Sequence, residues 1–388
     1  MGQQAIVAKR AIDRIRGGHL WIYRSDVVSV NGAAPGSVVS ILDENGRFQG
    51  RAMFSDQSEI TLRILTLRDE QIDREWWRRR LRAAFQRRRN IGPDSDSYRL
   101  VYAEGDLLPS LIIDRYHDVL VLQTLSQGTE HFKDLIVSLL IEELEPRAII
   151  ERNDVKVRKL EGLEMSTGVL FGEAPQELEI SQDGLRFVIH PLAGQKTGSF
   201  LDQRENRIAA KNQASGRGLD CFTFNGAFAL HLSARCESVI GVDISGEAIK
   251  AAKRNAALNQ CENVSFVESN VFDTLREMES SGERFDTIVL DPPAFAKNRG
   301  SVRAAIRGYK EINLRALKLL NPGGVLITCT CSYHMSESMF LEVIADAVVD
   351  SKRRVQLVEK RMQSSDHPVL VNVPETYYLK CVIVRVLD

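Results

Sequence analysis

Two short runs hold the residues best suited to chemistry: Asp291-Pro292-Pro293-Ala294-Phe295 and Thr328-Cys329-Thr330-Cys331-Ser332. Each follows an apolar, β-prone run, Thr287–Leu290 in the first case and Val325–Ile327 in the second. Each therefore falls where a strand of an open α/β sheet gives way to a loop, and such sheets bind ligands at the carboxyl ends of their strands. Because each proline restricts φ, the Asp-Pro-Pro run presents its carboxylate on a stiff turn. A cysteine at the end of the neighbouring strand adds a soft nucleophile to the same crevice. That pairing suits covalent attack on a planar base, followed by methyl transfer. The plainer alternatives are a helix-start turn for Asp291 and buried small hydrophobes for the two cysteines. Strand alternation puts Cys329 and Cys331 on one face. Cys331 lies farther out, where Ser332 and Tyr333 begin the loop, which makes it the better nucleophile candidate. His334 reads as a loop residue or a base.

The junction Leu219-Asp220-Cys221-Phe222-Thr223-Phe224-Asn225-Gly226-Ala227-Phe228 follows what reads as the first strand of that sheet. Its single Gly226 is a thin match to a Gly-rich nucleotide fingerprint and serves equally as a tight packing turn. The next strand ends in Asp243, whose carboxylate can accept hydrogen bonds from both ribose hydroxyls of an adenosine ligand, or cap the following helix. Together the two favour an adenosine ligand. No Gly-x-Gly-x-x-Gly stands at this junction, so no pyrophosphate is expected there. Asn270 follows the third strand, where its side chain reads an adenine edge or turns the chain.

These side chains need a scaffold. From about Arg217 strands alternate with helices: strands are predicted at Leu219–Phe222, Val239–Val242, Val264–Val267, Thr287–Leu290, Val325–Cys329, Val355–Glu359 and Tyr378–Val386. Helices are predicted at Gly246–Leu258 and Arg303–Leu320, the second stopped by Asn321-Pro322-Gly323-Gly324. Such alternation implies a mostly parallel, doubly wound sheet. Residues 1 to about 70 instead read as short strands, Ser37–Leu42, Phe48–Phe54 and Ile60–Leu65, with a hairpin signal at Asn45-Gly46. A small β-barrel is expected there. Arg74–Arg89 follows, with eight arginines and an apolar stripe of Trp76, Trp77, Leu81 and Phe85 that predicts a helix. A mixed α/β segment runs from about Tyr98 to His190, with a strand at Val119–Thr124 and a helix at Phe132–Glu143.

At 388 residues the chain is too long for one ordinary core, so two or three domains are expected. Hydrophobic residues at 44% and charged residues at 27% fit a soluble globular protein. No apolar run approaches the ~18 residues of a membrane-spanning helix, and Met1–Arg16 alternates apolar with basic residues rather than reading as a signal peptide. A cytoplasmic location without a membrane partner follows. The six cysteines include no Cys-x-x-Cys pair, so no metal site is expected. A net charge of −1 excludes a wholly basic nucleic-acid coat, and leaves Arg74–Arg89 as a local patch. That patch is a solvated helix face or an RNA site; Trp76, Trp77 and the small β domain favour RNA, with Arg78, Arg82 and Arg89 as the candidate contacts.

At these residues the chain resembles the class I S-adenosylmethionine (SAM)-dependent RNA methyltransferases related to the large-subunit cytosine-C5 methyltransferase I family. Arg16-Gly17-Gly18-His19-Leu20-Trp21-Ile22-Tyr23 is similar to the opening of that family's PUA domain, an RNA-binding β-barrel. Glu104-Gly105-Asp106-Leu107-Leu108-Pro109, Asp114-Arg115-Tyr116, Glu151-Arg152-Asn153-Asp154 and Leu160-Glu161-Gly162-Leu163 resemble its middle domain, with Ser110 where glycine is usual. Most specific are Gly194-Gln195-Lys196-Thr197-Gly198, Leu201-Asp202-Gln203-Arg204 and Asn206-Arg207. The resemblance implies cofactor contacts from Lys196, Thr197, Gly198, Phe200, Gln203, Arg204, Phe222, Asn225, Gly226, Asp243, Asn270 and Asp291. The family usually has aspartate at position 270. Its loop usually reads Ser-Tyr-Thr-Gly-Gly where this chain has Thr223-Phe224-Asn225-Gly226-Ala227. Cys331 matches the catalytic cysteine of the cytosine-C5 enzymes.

The expectation is therefore an α/β protein of three domains: a PUA-like RNA-binding β-barrel at 1–70, an arginine-rich helix and central α+β domain at 71–190, and a Rossmann-like class I methyltransferase sheet at 191–388. Its cofactor would be S-adenosyl-L-methionine and its partner rRNA, 23S or a ribosomal precursor, with a homodimer left open. Cys331 would add to C6 of a cytosine and Asp291 would hydrogen-bond the pyrimidine at N3; no general base is visible. The target must leave its stack to reach such a pocket. The competing readings are a guanine-nitrogen methyltransferase, in which Cys331 is structural, and an RNA-binding assembly factor without turnover.

Overall fold

The computed structural model of the chain describes residues 3–92, 94–194, 198–296 and 298–388. Two compact units emerge: Met1–Ile180 with Ile189–Leu201 and Asp366–Thr376, and Ser181–Val188 with Asp202–Ser365 and Tyr377–Asp388.

The first unit holds two sheets. Six strands pair in the order Trp21–Tyr23, Ile60–Thr66, Phe48–Phe54, Val38–Asp43, Gln4–Val7 and Val27–Asn31. Alternation sets their inner face: in Val38–Asp43, Val39 and Ile41 are fully buried and join Ile22, Leu62 and Ile64 in one core. The second sheet runs Thr167–Gly172, Ala148–Arg152, Val119–Thr124, Leu111–Tyr116, Ser97–Tyr102. Its core includes the apolar side of the arginine-rich helix, Arg74–Arg87, and of the helix Lys133–Leu144. Asp73 starts the first of these, its carboxylate accepting the Trp76 N–H at 2.8 Å. Trp76 and Trp77 are buried with their rings edge to face at 5.3 Å. Ala84 completes the buried stripe where Phe85 was expected, and Phe85 is half-buried. The expected boundary at residue 70 falls in the link between Ile60–Thr66 and this helix, and that at residue 190 just after the strand Leu185–Ile189.

The second unit is the doubly wound sheet. Its strands are β1 (Arg217–Cys221), β2 (Ser238–Asp243), β3 (Val264–Glu268), β4 (Phe285–Leu290), β5 (Leu320–Thr330), β6 (Val355–Met362) and β7 (Lys380–Val386). They lie in the order β3-β2-β1-β4-β5-β7-β6. The pairs β1–β2, β2–β3, β1–β4 and β4–β5 are parallel, while β7 runs antiparallel to both β5 and β6. The helices are α1 (Arg204–Gln213), α2 (Ala227–Ser233), α3 (Gly246–Leu258), α4 (Val271–Ser280), α5 (Val302–Leu319) and α6 (Glu337–Ser351). Strand order reverses between β1 and β4, the position at which doubly wound sheets bind ligands beyond the carboxyl ends of their strands. The apolar run of β4 is buried from Thr287 to Leu290, as a central parallel strand requires.

One local expectation fails. Asn321-Pro322-Gly323-Gly324 does not lie between helix and strand: α5 ends at Leu319 and β5 begins at Leu320. Buried Leu320 pairs with Phe285, and the register then shifts so that Val325 faces Thr287. Pairing of Leu320 thus carries the strand assignment through residues that locally favour a turn.

Candidate active site

The candidate residues of the second unit lie in the loops after β1, β2, β3, β4 and β5 and, for Gln203 and Arg204, at the start of α1. The loop after β1 is strained. Phe222 and Phe224 take φ of 65° and 50°, and Gly226 takes 83°. Left-handed backbone at a bulky residue costs of order 1–3 kcal/mol and collects at functional sites. It is held from β2: the Thr223 N–H donates to the Val242 carbonyl at 3.0 Å, and the Phe224 N–H donates to Asp243 Oδ2 at 2.9 Å. A Cβ on Gly226 would meet the Phe266 ring at 3.1 Å and Ala252 at 3.2 Å. Glycine is therefore needed here both for φ and for close packing.

Asp243 does not cap α3; Ser245 does, accepting the Ala248 N–H. Asp243 instead accepts the Ser245 N–H on Oδ1 at 2.9 Å and stays half-buried at the end of β2. Each of its oxygens keeps lone-pair capacity for a ligand hydroxyl. Asn225 is buried, and its carbonyl accepts the Asn255 side chain at 3.0 Å. Asn270 is exposed and caps α4, its Oδ1 taking the Phe272 N–H at 2.9 Å.

Beneath this loop Asp220 is fully buried on β1. Its Oδ2 accepts from Thr223 Oγ1 at 2.5 Å and the Ala229 N–H at 2.9 Å, and its Oδ1 has no hydrogen-bond partner. Burial pushes its carboxyl up to about 7, with Asp291 and Asp243 adding repulsion.

Asp291 follows β4 directly and is half-buried. Gln203, at the end of the turn Leu201–Gln203, donates its side-chain N–H to Asp291 Oδ1 at 2.8 Å. Arg204, the first residue of α1, is buried beside Asp183 and Glu205. Gly198 and Phe200 belong to the first unit, where Gly198 has φ of 141° and is packed against Tyr116 and Ile189. Lys196 and Thr197 lie outside the described residues.

The two cysteines of the β5 run differ sharply. Cys329 is fully buried opposite Cys381 on β7. The Cys381 thiol and burial hold its pKa well above the usual thiol range. Cys331 is half-buried in the loop beyond Thr330, where β5 ends. Hydroxyls pin its two neighbours. Thr330 Oγ1 donates to Tyr309 OH at 2.8 Å, Tyr309 OH lies 3.0 Å from Ser332 Oγ, and Ser332 Oγ accepts the Ala296 N–H at 3.2 Å. Phe295 packs on Tyr309 with ring centroids 4.7 Å apart. The Asp-Pro-Pro-Ala-Phe-Ala loop and the Cys331 loop are thus tied together through Tyr309 of α5. The sequence reading missed Tyr309 and Asp220.

In the first unit, Arg78 pairs with Glu75, Glu142 and Glu143, and Arg82 pairs with Glu143 at 2.7 Å. Those two charges are largely matched by carboxylates, whereas Arg89 is exposed. A groove of about 500 Å³ beside the helix is lined by Arg82, Phe85, Arg88, Arg89, Tyr98 and Arg115 among others. No described helix is long and apolar enough to cross a membrane.

Comparison with known proteins places this geometry. Residues 5–67 match a PUA-like domain and residues 156–383 an S-adenosylmethionine-dependent methyltransferase. The ribosomal RNA large subunit methyltransferase I of Shewanella denitrificans is 41% identical over 378 residues, covering 95% of each chain. Those of Tolumonas auensis and Erwinia tasmaniensis are 42% and 40% identical, covering 95% and 100% of this chain and 96% and 100% of their own. A Streptococcus mutans protein described as a SAM-dependent methyltransferase shares the fold, with a TM-score of 0.83 at 21% identity over 98% of this chain and 99% of that one. A structure described as a methyltransferase complexed with S-adenosylhomocysteine gives a TM-score of 0.85 at 21% identity and the same coverage. With its PUA-like and SAM-dependent methyltransferase segments in order and relatives alike over nearly its whole length, the chain belongs to the ribosomal RNA large subunit methyltransferase I family.

Proposed function

We propose that the protein methylates large-subunit rRNA, in the 23S molecule, at C5 of a cytosine through a covalent adduct with Cys331. The relatives' shared activity supports the rRNA substrate. One observation carries the choice of chemistry. Cys331 is half-buried in a loop bound through Tyr309 to the loop that begins at Asp291, whereas Cys329 is sealed in the sheet.

The residues present fit the cofactor. A cationic sulfonium ligand suits a site in which Asp220, Asp243 and Asp291 stand at or near the carboxyl ends of three strands. One buried oxygen of Asp220 lacks a partner. Asp243 would hold the ribose hydroxyls, with Asn225, Gly226 and Asn270 around the adenosine and Gln203 and Arg204 beside Asp291. Gly198, Phe200, Lys196 and Thr197 are proposed as further contacts from the resemblance. When bound, S-adenosylmethionine supplies an electrophilic methyl group.

The chain's own residues do the rest. The Cys331 thiolate adds to C6 of the cytosine, and the C5–C6 π pair becomes the nucleophile at C5. Asp291 hydrogen-bonds the pyrimidine edge at N3 and favours that electron shift. After methylation the C5 proton leaves to a base, the double bond re-forms and Cys331 departs with its electron pair. RNA would be held in part by the PUA-like segment and by the arginine-rich helix, with Arg78, Arg82 and Arg89 as candidates and Arg89 the most available. We also propose the division at residues 70 and 190 as the functional one, into RNA-binding, linking and catalytic segments.

Mass-spectrometric mapping of rRNA from a deletion strain tests this reading. The expected result is loss of one 5-methylcytidine in 23S rRNA, restored by the wild-type gene. Loss of a methylated guanine instead would favour the guanine-nitrogen alternative, and no lost methylation would favour an assembly factor.

A further inference from the structure

The groove beside the arginine-rich helix brings two aromatic rings together with two guanidinium groups that, among the described residues, no carboxylate matches. One wall is the antiparallel pair Ser97–Tyr102 and Leu111–Tyr116, in which Tyr98 stands directly opposite Arg115. Residues opposite each other in such a pair share one face of the sheet, with Cβ atoms about 5 Å apart. A ring and a guanidinium are therefore presented side by side. Phe85, in the last turn of the helix Arg74–Arg87, and Arg89, just beyond that helix, line the same groove. Phe85 and Tyr98 are half-buried, and buried Leu100 adds a further apolar patch to the lining. At about 500 Å³ the groove falls within the ~300–1,000 Å³ of sites that hold a small ligand.

The four arginines of the lining fall into two classes. Arg88 is buried and holds Asp106 through two hydrogen bonds of 2.6 Å. Arg82 is held by Glu143 at 2.7 Å, a carboxylate that Arg78 shares at 3.2 Å. Arg89, by contrast, is exposed, and Arg115 engages only its Nε, on the His117 carbonyl at 2.9 Å. Unmatched guanidinium groups beside aromatic rings are the recognition chemistry of single-stranded nucleic acid: phosphates pair with the cations, and unstacked bases lie on the rings.

We infer that this groove holds a single-stranded segment of the RNA, with Arg89 and Arg115 on its phosphates and bases against Tyr98 and Phe85. The inference rests on the reading of the protein as acting on rRNA, and it names the form of RNA that the first unit takes. That unit also contains the PUA-like residues 5–67. A duplex would offer its phosphates to the arginines but keep its bases stacked inside, leaving Tyr98 and Phe85 unused. A phosphorylated protein segment would use the same two arginines, but the rings beside them favour bases.

The test is binding of a fluorescent, unstructured oligouridylate to the full chain, followed by anisotropy across a range of salt concentrations. Arg89→Gln and Arg115→Gln should each lower the slope of log affinity against log salt by about 0.7 unit, the value for one phosphate of a single strand. Tyr98→Ala should weaken binding about fivefold or more without changing the slope, and Tyr98→Phe should keep the affinity. Unlabelled duplex RNA of the same length should compete poorly. Because Tyr98 also packs on the core, ultraviolet cross-linking of the oligonucleotide to the wild type supplies a second reading. Peptides containing Tyr98 or Phe85 are expected among its adducts.

An unchanged slope in the Arg89→Gln/Arg115→Gln double variant would overturn the inference, whether or not the groove then takes a phosphopeptide. Equal competition by duplex, cross-links mapped entirely outside the groove, or no binding of oligouridylate by the wild type would overturn it as well. The deletion-strain map separates the two levels. A lost 23S methylation alongside unchanged binding by the variants removes the groove alone, whereas a map with no lost methylation removes the rRNA reading itself.

Discussion

Gln203 donates its side-chain N–H to Asp291 Oδ1 across 2.8 Å, joining the turn before α1 to the first residue after β4. Both residues are separated by most of the sheet in sequence, and both are proposed contacts of one cofactor. The bond orients the carboxylate that would face the reacting groups. Gln203→Leu should leave that orientation unsupported and weaken S-adenosylhomocysteine binding by roughly 1–3 kcal/mol, the scale of a lost hydrogen bond to a charged group. Titration calorimetry measures this; unchanged affinity would mean that the amide only packs.

Asp243 should recognise a ribose. Asp243→Ala should weaken S-adenosylhomocysteine binding by ~1–3 kcal/mol. Because Asp243 also accepts the Phe224 and Ser245 N–H groups, Asp243→Asn is the milder control and should lose less. Tight binding of NAD with none of S-adenosylhomocysteine would contradict the site as read.

Asp220 should make stability depend on pH. Its folded carboxyl titrates at about 7, while an unfolded aspartate titrates near ~3.9. A raised folded value means that the native state binds the extra proton. The stabilisation is complete below about pH 3.9 and is lost as pH rises through about 7. Asp220→Asn cannot titrate. Between about pH 4 and pH 7 the wild type should therefore lose roughly 1–4 kcal/mol relative to Asp220→Asn. Denaturant melts of both proteins across this range would reveal parallel curves if Asp220 is ionised throughout.

The arginine-rich helix should contribute unevenly to RNA affinity. Arg78 and Arg82 already contact Glu142 and Glu143, and Arg89 is exposed. Arg89→Ala should lower the slope of log affinity against log salt by up to about one unit, and Arg78→Ala by less. Equal, zero effects in filter binding would return the helix to a solvated face.

The parallel sheet was legible because each strand is a short apolar run bounded by turn residues. The helix Gly246–Leu258 begins where expected because Ser245 supplies a local cap. What local pattern could not reveal depends on pairing between distant segments. Leu320 becomes strand only because Phe285 lies beside it. Tyr309 reads as one apolar residue of α5 until Thr330 and Ser332 meet its hydroxyl. The same holds for the arginines: the run is plain in sequence, but Glu142 and Glu143, which pair with Arg78 and Arg82, come from another helix.

Covalent capture tests the central claim most directly. RNA carrying 5-fluorocytosine at the target should form a stable adduct with the wild-type enzyme and S-adenosylmethionine, since fluorine at C5 cannot leave as a proton and elimination stalls. Peptide mapping should locate the bond at Cys331. Cys329→Ala should still form the adduct, because Cys329 is buried and contributes packing. Cys331→Ala should form none and transfer no methyl group, while binding S-adenosylhomocysteine as before. An active Cys331→Ala enzyme, or an adduct mapped to another residue, would contradict the account.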